Sequence, residues 1–178
     1  MKNILKSLVA ISALSSFVIA PFVINAGQAS AQPQKGTDAS YVGAGFAAGV
    51  TNGGQNGDAA NFGGNITGRV KLGNTPLSAR GNVLWNDENS AIIPEVSVDV
   101  PIANRTNAFV TGGYSFVQDN GLPTPLGNKD SVVLGAGIES EVAKNLLIYT
   151  NAKVGIRAYE NSPASAISIN GGVGYRFR

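Results

Sequence analysis

From Ser40 onward the sequence falls into segments in which apolar and polar side chains alternate, and every charge within them lies on the polar parity. Side chains of a β-strand point alternately to two faces, so each segment is predicted to be a strand with one uncharged apolar face. The last segment, AISINGGVGYRFR, keeps this pattern to the final residue. A bilayer would select such exclusion, because one Lys or Arg facing lipid at mid-depth costs about 2 to 4 kcal/mol.

Eight such segments are present, and each has about the length at which a tilted strand crosses an outer membrane. Their predicted ranges are 40–50, 62–72, 77–86, 94–102, 107–117, 131–142, 146–158 and 166–178. The predicted connections alternate in length, long at 51–61, 87–93, 118–130 and 159–165 and short at 73–76, 103–106 and 143–145. We therefore predict an all-β fold, an eight-stranded antiparallel up-and-down transmembrane β-barrel over residues 40–178. The long loops are expected outside the cell and both termini in the periplasm.

The polar parity predicts what fills this barrel. Eight strands enclose a lumen that side chains can just fill, and inward ions are costly unless they are paired. Glu139 with Glu141, and Glu95 with Asp99, are therefore interpreted as members of a salt-bridged lumen rather than as paired catalytic carboxylates. The predicted lumen charge network consists of Arg69, Lys71, Arg80, Glu95, Asp99, Glu139, Glu141, Lys153, Arg157 and Arg176.

Aromatic side chains concentrate near the ends of the apolar parity. This is where outer-membrane barrels carry aromatic girdles at the two membrane–water interfaces. The predicted girdle consists of Phe62, Trp85, Tyr114, Phe116, Tyr175 and Phe177.

Two local features test the proposed strand boundaries. A closed barrel has no edge strand to tolerate a missing N–H, so Pro94 and Pro101 should mark the ends or a bulge of the fourth strand. Val142 and Leu146 must both face outward, which requires an odd-numbered loop between them. The simplest solution places Asn145 in the left-handed backbone conformation.

The N-terminal residues 1–31 have the pattern of a secretory signal peptide, with Lys2 and Lys6 before an apolar run and a small-x-small site at Ala29–Ala31. A single transmembrane helix is the alternative, but Pro21 interrupts the run and no cationic cluster follows it. Residues 32–39 are predicted to be a short polar lead-in.

Composition excludes several classes of function. The chain has no Cys and no His, which removes disulfides, thiolate chemistry and the commonest metal ligand and general base. From residue 32 onward Lys plus Arg and Asp plus Glu number 11 each, so a nucleic-acid partner is not expected. We predict no cofactor, no metal and no catalytic residue.

The final run Gly172-x-Gly174-Tyr175-Arg176-Phe177 and the alternating connections resemble the small outer-membrane β-barrel superfamily, which includes OmpA transmembrane domains, OmpX and the opacity-type porin family. The resemblance covers residues 40–178. It implies contact with outer-membrane lipid and recognition of the C-terminal strand by the barrel-assembly machinery. Barrels of this size that modify lipid A use a catalytic His, which this chain lacks.

These observations predict a monomeric, non-enzymatic outer-membrane protein with a structural or surface-interaction role and a plugged lumen. Loop 118–130 is the candidate contact for an extracellular partner. One alternative is a narrow passive channel for ions or small solutes, because the many inward glycines could leave a water-filled path. The other is a soluble ligand-binding barrel with its apolar face inside, which would leave an exterior with too little charge.

Overall fold

The computed structural model describes residues 36–54 and 61–177. The predicted signal peptide, residues 1–31, and the first part of the predicted lead-in lie outside these ranges. Within them the chain has no apolar helix of membrane-spanning length. The strands are β1 (Ser40–Gly49), β2 (Asn61–Lys71), β3 (Leu77–Trp85), β4 (Ser90–Ala103), β5 (Thr106–Val117), β6 (Ser131–Ala143), β7 (Leu146–Ile156) and β8 (Ala166–Phe177).

The strands form one closed barrel in sequence order. Each pairs antiparallel with its neighbours, and β1 closes the barrel against β8, for example through Tyr41 opposite Arg176. Closure leaves no strand edge unpaired, which a β-structure surrounded by lipid requires. The predicted eight-stranded up-and-down barrel is confirmed.

The two faces of the barrel reverse the arrangement found in soluble proteins. Large apolar side chains point outward and stay exposed along every strand, including Val96, Val110 and Val173. Polar and charged side chains such as Arg69 and Glu139 point inward and are buried. A soluble ligand-binding barrel needs the opposite arrangement, so the structure excludes that alternative.

The fourth strand differs from its prediction. It begins at Ser90, so Pro94 lies inside the strand rather than at its end. Pro94 remains paired with Gly81 of β3, whereas the pairing with β5 stops after Ile92 and resumes at Glu95. The proline is accommodated because the ladder on the β5 side is interrupted where its N–H is missing. The register between β4 and β5 shifts just after Pro101, which confirms the predicted bulge there.

The connections define two ends of the barrel. We call the end with residues 72–76, 104–105 and 144–145 the turn end, and the opposite end, with residues 50–54, 86–89, 118–130 and 157–165, the loop end. The predicted long connection at 87–93 is wrong, because the extension of β4 reduces it to residues 86–89. Asn145 has φ 63°, which confirms its left-handed conformation.

Charge on the outward face should be tolerated according to depth. Val96 lies mid-strand in β4 with 54% of its surface exposed, and Val142 lies near the turn end of β6 with 51% exposed. We expect Val96→Arg to lower the free energy of unfolding by about 2 to 4 kcal/mol and Val142→Arg by about 0 to 1 kcal/mol.

Urea unfolding of the barrel in lipid vesicles measures the free energy of unfolding of both variants and of the unaltered protein. The two sites carry the same side chain at similar exposure, so they differ mainly in depth. Equal losses at both positions would contradict the assignment of this face to lipid.

Candidate functional site: the barrel interior

Four charged side chains from four strands meet in the turn-end half of the lumen. Arg69 donates to Asp99 at 2.8 Å and lies 2.9 Å from Glu139. Arg80 lies 2.9 Å from Asp99 and 3.1 Å from Glu139. Each guanidinium therefore contacts both carboxylates, and none of the four side chains is more than 6% exposed. We call these residues the central charge cluster.

The strand register explains why the central charge cluster needs all four members. Arg69 and Arg80 stand directly opposite each other on β2 and β3. Like charges in this position repel, and burial strengthens the repulsion. Asp99 and Glu139 approach from β4 and β6 and offset both cations.

Neutral groups complete the central charge cluster. Ser78 accepts a hydrogen bond from Arg69 at 3.0 Å and donates to Asp99, while Ser97 accepts from Arg80 at 2.9 Å and donates to Asp99 at 2.9 Å. The Tyr41 hydroxyl donates to Glu139 at 3.0 Å. The ring of Phe109 lies under Arg80, with the guanidinium carbon 3.8 Å from the ring centroid. These contacts give partners to buried hydrogen-bond donors, acceptors and charges. Without such partners, their burial would cost considerable free energy.

A second ion pair lies nearer the loop end. Lys153 Nζ contacts the two carboxylate oxygens of Glu95 at 2.5 and 2.6 Å. The same carboxylate accepts from Asn82 at 2.5 Å and from Thr111 at 3.0 Å. Together with the central charge cluster, this pair brings the core of the lumen to three cations and three carboxylates.

Residues 36–39, the described part of the predicted lead-in, are bonded to the barrel at the turn end. Gly36 forms an isolated bridge to Asn104. The backbone of Thr37 exchanges two hydrogen bonds with the Asn107 side chain, at 3.0 and 2.7 Å. Arg69 donates to the carbonyl oxygens of Thr37 and Ala39 at 3.3 and 3.0 Å. Sequence reasoning missed this role, because the short polar segment has no periodicity.

A cluster of buried apolar side chains lies at the loop end. Leu126, from the loop after β5, is completely buried among inward side chains that include Leu84, Ile93 and Val133. Residues 124–128 are all buried. The loop is held down by the Asn128 backbone N–H, which donates to the Ala158 carbonyl at 2.9 Å. We call Leu126 and the inward apolar side chains around it, including Leu84, Ile93 and Val133, the apolar plug.

The loop after β7 is fastened to the loop after β1. Tyr159 donates to the carbonyl oxygen of Thr51, and the Thr51 hydroxyl accepts from the Ile167 N–H at 2.9 Å. Burial raises the pKa of the Tyr159 phenol, although its hydrogen bond to Thr51 opposes this shift. The phenol therefore stays protonated and remains a donor throughout the physiological pH range.

Inward glycines create space for large side chains. A Cβ on Gly43 would lie 2.8 Å from the Tyr149 ring, and one on Gly137 would lie 2.5 Å from the Phe109 ring. Both distances are shorter than the contacts that a Cβ atom makes in real proteins, so a larger residue at either position would collide with the ring. The Tyr149 hydroxyl also donates to Asn65 at 2.5 Å. Aromatic rings therefore occupy the space beside these two glycines.

The structure places the predicted lumen residues in three groups. Arg69, Arg80, Glu95, Asp99, Glu139 and Lys153 are buried together in the lumen. Lys71, which pairs with Asp38, and Arg176, which lies 2.6 Å from Glu141, occupy the turn-end mouth. Arg157 differs from its prediction, because β7 ends at Ile156 and Arg157, at φ 53°, is exposed outside the strand.

The aromatic residues lie at both ends of the outward face. Tyr175 and Phe177 pack edge to face at the turn end, with their centroids 5.5 Å apart. Phe62, Trp85, Tyr114 and Phe116 lie near the loop ends of β2, β3 and β5. Sequence analysis missed Phe46, which stacks on Phe62 at 6.2 Å.

The alternation places Tyr41 and Tyr149 on the polar parity, and the structure buries both side chains in the lumen. Phe109 was not predicted to fill the lumen. It lies on the polar parity opposite Gly137, and that combination is the signal that could have revealed it. Leu84 and Ile93 interrupt the polar parity near the loop end, where they indicate an apolar interior. Among the described residues, no group of three or more carboxylates could hold a metal ion.

No family model matches this chain, and no curated protein sequence matches it. Several solved structures have similar folds. The attachment invasion locus protein Ail of Yersinia pestis is 16% identical, with a TM-score of 0.54 over 79% of this chain and 100% of Ail. Ail has also been crystallised with the heparin analogue sucrose octasulfate.

Two other solved structures are also similar to this chain. Neisserial surface protein A is 16% identical, with a TM-score of 0.53 over 78% of this chain and 97% of that protein. The N-terminal β-barrel domain of Pseudomonas aeruginosa OprF is 13% identical, with a TM-score of 0.51 over 82% of this chain and all of that domain. The chain therefore has the fold of the small eight-stranded outer-membrane β-barrel proteins.

Proposed function

We propose that this chain is a non-enzymatic outer-membrane protein with a structural or surface-interaction role, and that its interior does not conduct solutes. The observation that carries the proposal is the sequence of layers along the lumen. The apolar plug, the pair of Lys153 with Glu95, the central charge cluster and the segment 36–39 follow one another from the loop end to the turn end.

These layers argue against the alternative of a narrow passive channel. An ion entering from the loop end meets Leu126 and its apolar neighbours, which offer nothing to replace its hydration shell. An ion at the central charge cluster would have to displace partners that already satisfy each charge. The aromatic rings beside the inward glycines also remove the water-filled path that glycines alone would leave.

The loop end is the proposed extracellular end, so its surface would make external contacts. Among its described loop residues, Asp87, Glu88, Asp119, Asp130 and Glu160 outnumber Lys129 and Arg157. This surface favours a cationic partner over a sulfated polyanion such as the one crystallised with Ail. Because residues 124–128 are buried, contact through loop 118–130 would use its exposed parts, such as Leu122.

A planar bilayer tests the non-conducting proposal. We expect the purified, refolded protein to show at most small and infrequent openings, because each layer of the lumen blocks ions by a different means. Steady, large ohmic conductance from every inserted molecule would contradict the proposal.

The central charge cluster should dominate the stability of the barrel. Glu139→Gln leaves two buried guanidinium groups short of a countercharge, and we expect the free energy of unfolding to fall by about 3 to 5 kcal/mol. Glu141→Gln is the matched control two residues along β6, where the partner Arg176 is 28% exposed. Its loss should be about 1 kcal/mol or less.

Urea titrations of both variants in detergent or vesicles measure these losses. A smaller effect for Glu139→Gln than for Glu141→Gln would show that the buried cluster does not hold the strands together.

Cysteine labelling tests the orientation and the buried loop together. The chain has no Cys, so single substitutions give clean labelling sites. A membrane-impermeant maleimide added to whole cells should label Leu122→Cys, which is 45% exposed, but not Leu126→Cys, which is completely buried. Lys144→Cys, in an exposed turn at the opposite end, should react only after the outer membrane is permeabilised. Labelling of Lys144→Cys in intact cells would reverse the proposed orientation.

A further inference from the structure

A pocket of about 420 Å³ opens at the rim of the turn end. We call it the rim pocket. It lies between the turn after β4 and the turn after β6, beside the end of β8, and is lined by Arg105, Glu141, Ala143, Lys144, Asn145 and Arg176.

The rim pocket carries an excess of positive charge. Three of its lining residues are cations and one is a carboxylate. Glu141 is engaged by Arg176 Nη1 at 2.6 Å and also accepts from the Thr37 hydroxyl. Arg105 and Lys144 are exposed, and neither pairs with a carboxylate within residues 36–54 and 61–177.

The third cation of the rim pocket is incompletely satisfied. Within the described part of the chain, Arg176 Nε is shielded from solvent and has no hydrogen-bond partner. A buried donor without a partner carries a desolvation cost, and the cost is greater for a charged group. A small rotation of the guanidinium toward an anion in the rim pocket would relieve it. The rim pocket therefore combines two cations without a carboxylate partner in the described residues, Arg105 and Lys144, with one donor that has no acceptor there, Arg176 Nε.

The position of the rim pocket indicates where an anion would come from. Val142 and Leu146, on either side of the turn that forms one wall, point outward and are exposed. Tyr175, next to Arg176, is also outward and exposed, and it belongs to the turn-end part of the aromatic girdle, together with Phe177. Such girdles lie at the level of lipid headgroups. Cations at this depth lie close to the phosphates of the adjoining leaflet.

We propose that the rim pocket binds the phosphate of an anionic phospholipid in the turn-end leaflet. Arg105 and Lys144 contact the phosphate, Arg176 supplies a further donor, and the acyl chains run along the outward face beside Val142 and Leu146. Two short turns hold the two free cations, each turn containing a left-handed residue, Arg105 at φ 60° or Asn145 at φ 63°. The proposal rests on the membrane-spanning function proposed above, because only a spanning barrel meets this leaflet.

The chain offers a closely matched control for this site. The double variant Arg105→Asn with Lys144→Gln removes both free cations from the rim pocket. The control Arg157→Asn with Lys129→Gln removes the same residue types from exposed positions at the loop end, and Arg157 has a similar φ of 53°. Asn suits the left-handed conformation at both Arg positions, so neither variant should strain the backbone.

Native mass spectrometry of the folded barrel, released from neutral detergent micelles, measures the bound lipid during a titration with phosphatidylglycerol. We expect the rim variant to bind at least tenfold more weakly than the unaltered protein and the control variant to bind equally well. Equal weakening in both variants would show that binding depends only on the overall charge of the protein. Unchanged binding by the rim variant would show that the rim pocket is not the binding site. Either result overturns the proposal.

A second titration, with soluble glycerol phosphate, separates a lipid site from a site for free phosphate. Lipid binding predicts at least tenfold weaker binding of glycerol phosphate than of phosphatidylglycerol, and equal binding of the two would overturn the lipid assignment. Reconstitution into vesicles, followed by the gel mobility of heated and unheated samples, reports separately on membrane insertion. A barrel that fails to insert contradicts the proposed function, whereas the micelle titration still decides whether the rim pocket binds the headgroup.

Discussion

Buried charge must be neutralised inside a barrel this narrow, and the rest of the interior depends on how that is done. Closure places Arg69 opposite Arg80, a repulsive pair in isolation. Asp99 and Glu139 turn that repulsion into a four-membered cluster in which every charge has two partners. The members come from β2, β3, β4 and β6, so strands that are not neighbours are fastened across the lumen. A register slip of one residue would reverse the inward face of a strand and leave these charges unpaired.

Two segments outside the strands pack against the inward side chains of the strands, one at each end of the barrel. Leu126 fills the loop-end mouth, where inward Leu84 and Ile93 already form an apolar surface. At the turn end, Thr37 meets polar groups instead and bonds to Asn107 and Arg69. Each closing segment therefore matches the chemistry of the wall that it covers, apolar at one end and polar at the other. The match explains why a short stretch of irregular backbone can be buried in each mouth without many unsatisfied groups.

The sequence was sufficient to predict the strand count, the two faces and the inward charges, because alternation and charge exclusion are local patterns. It was not sufficient for features that depend on several strands together. The partners of Arg69 follow from the stagger of the barrel, which no single segment encodes. The insertion of Leu126 depends on the mouth formed by other strands. Arg157 fits the alternation of β7 but adopts a left-handed backbone that ends the strand first.

The two ends of the barrel also differ on the outside, and that difference bears on where function can reside. The charged residues in the described loops at the loop end are mostly acidic, whereas three of the four charged residues that line the rim pocket at the turn end are cations. Between the two ends, Lys153 pairs with Glu95 and the members of the central charge cluster pair with one another. In the non-conducting barrel proposed above, these paired charges would contribute rigidity rather than transport. Under the proposed function, the charged groups available to other molecules are those on the two rims, where Arg105 and Lys144 at one end and Asp87 and Glu88 at the other remain exposed.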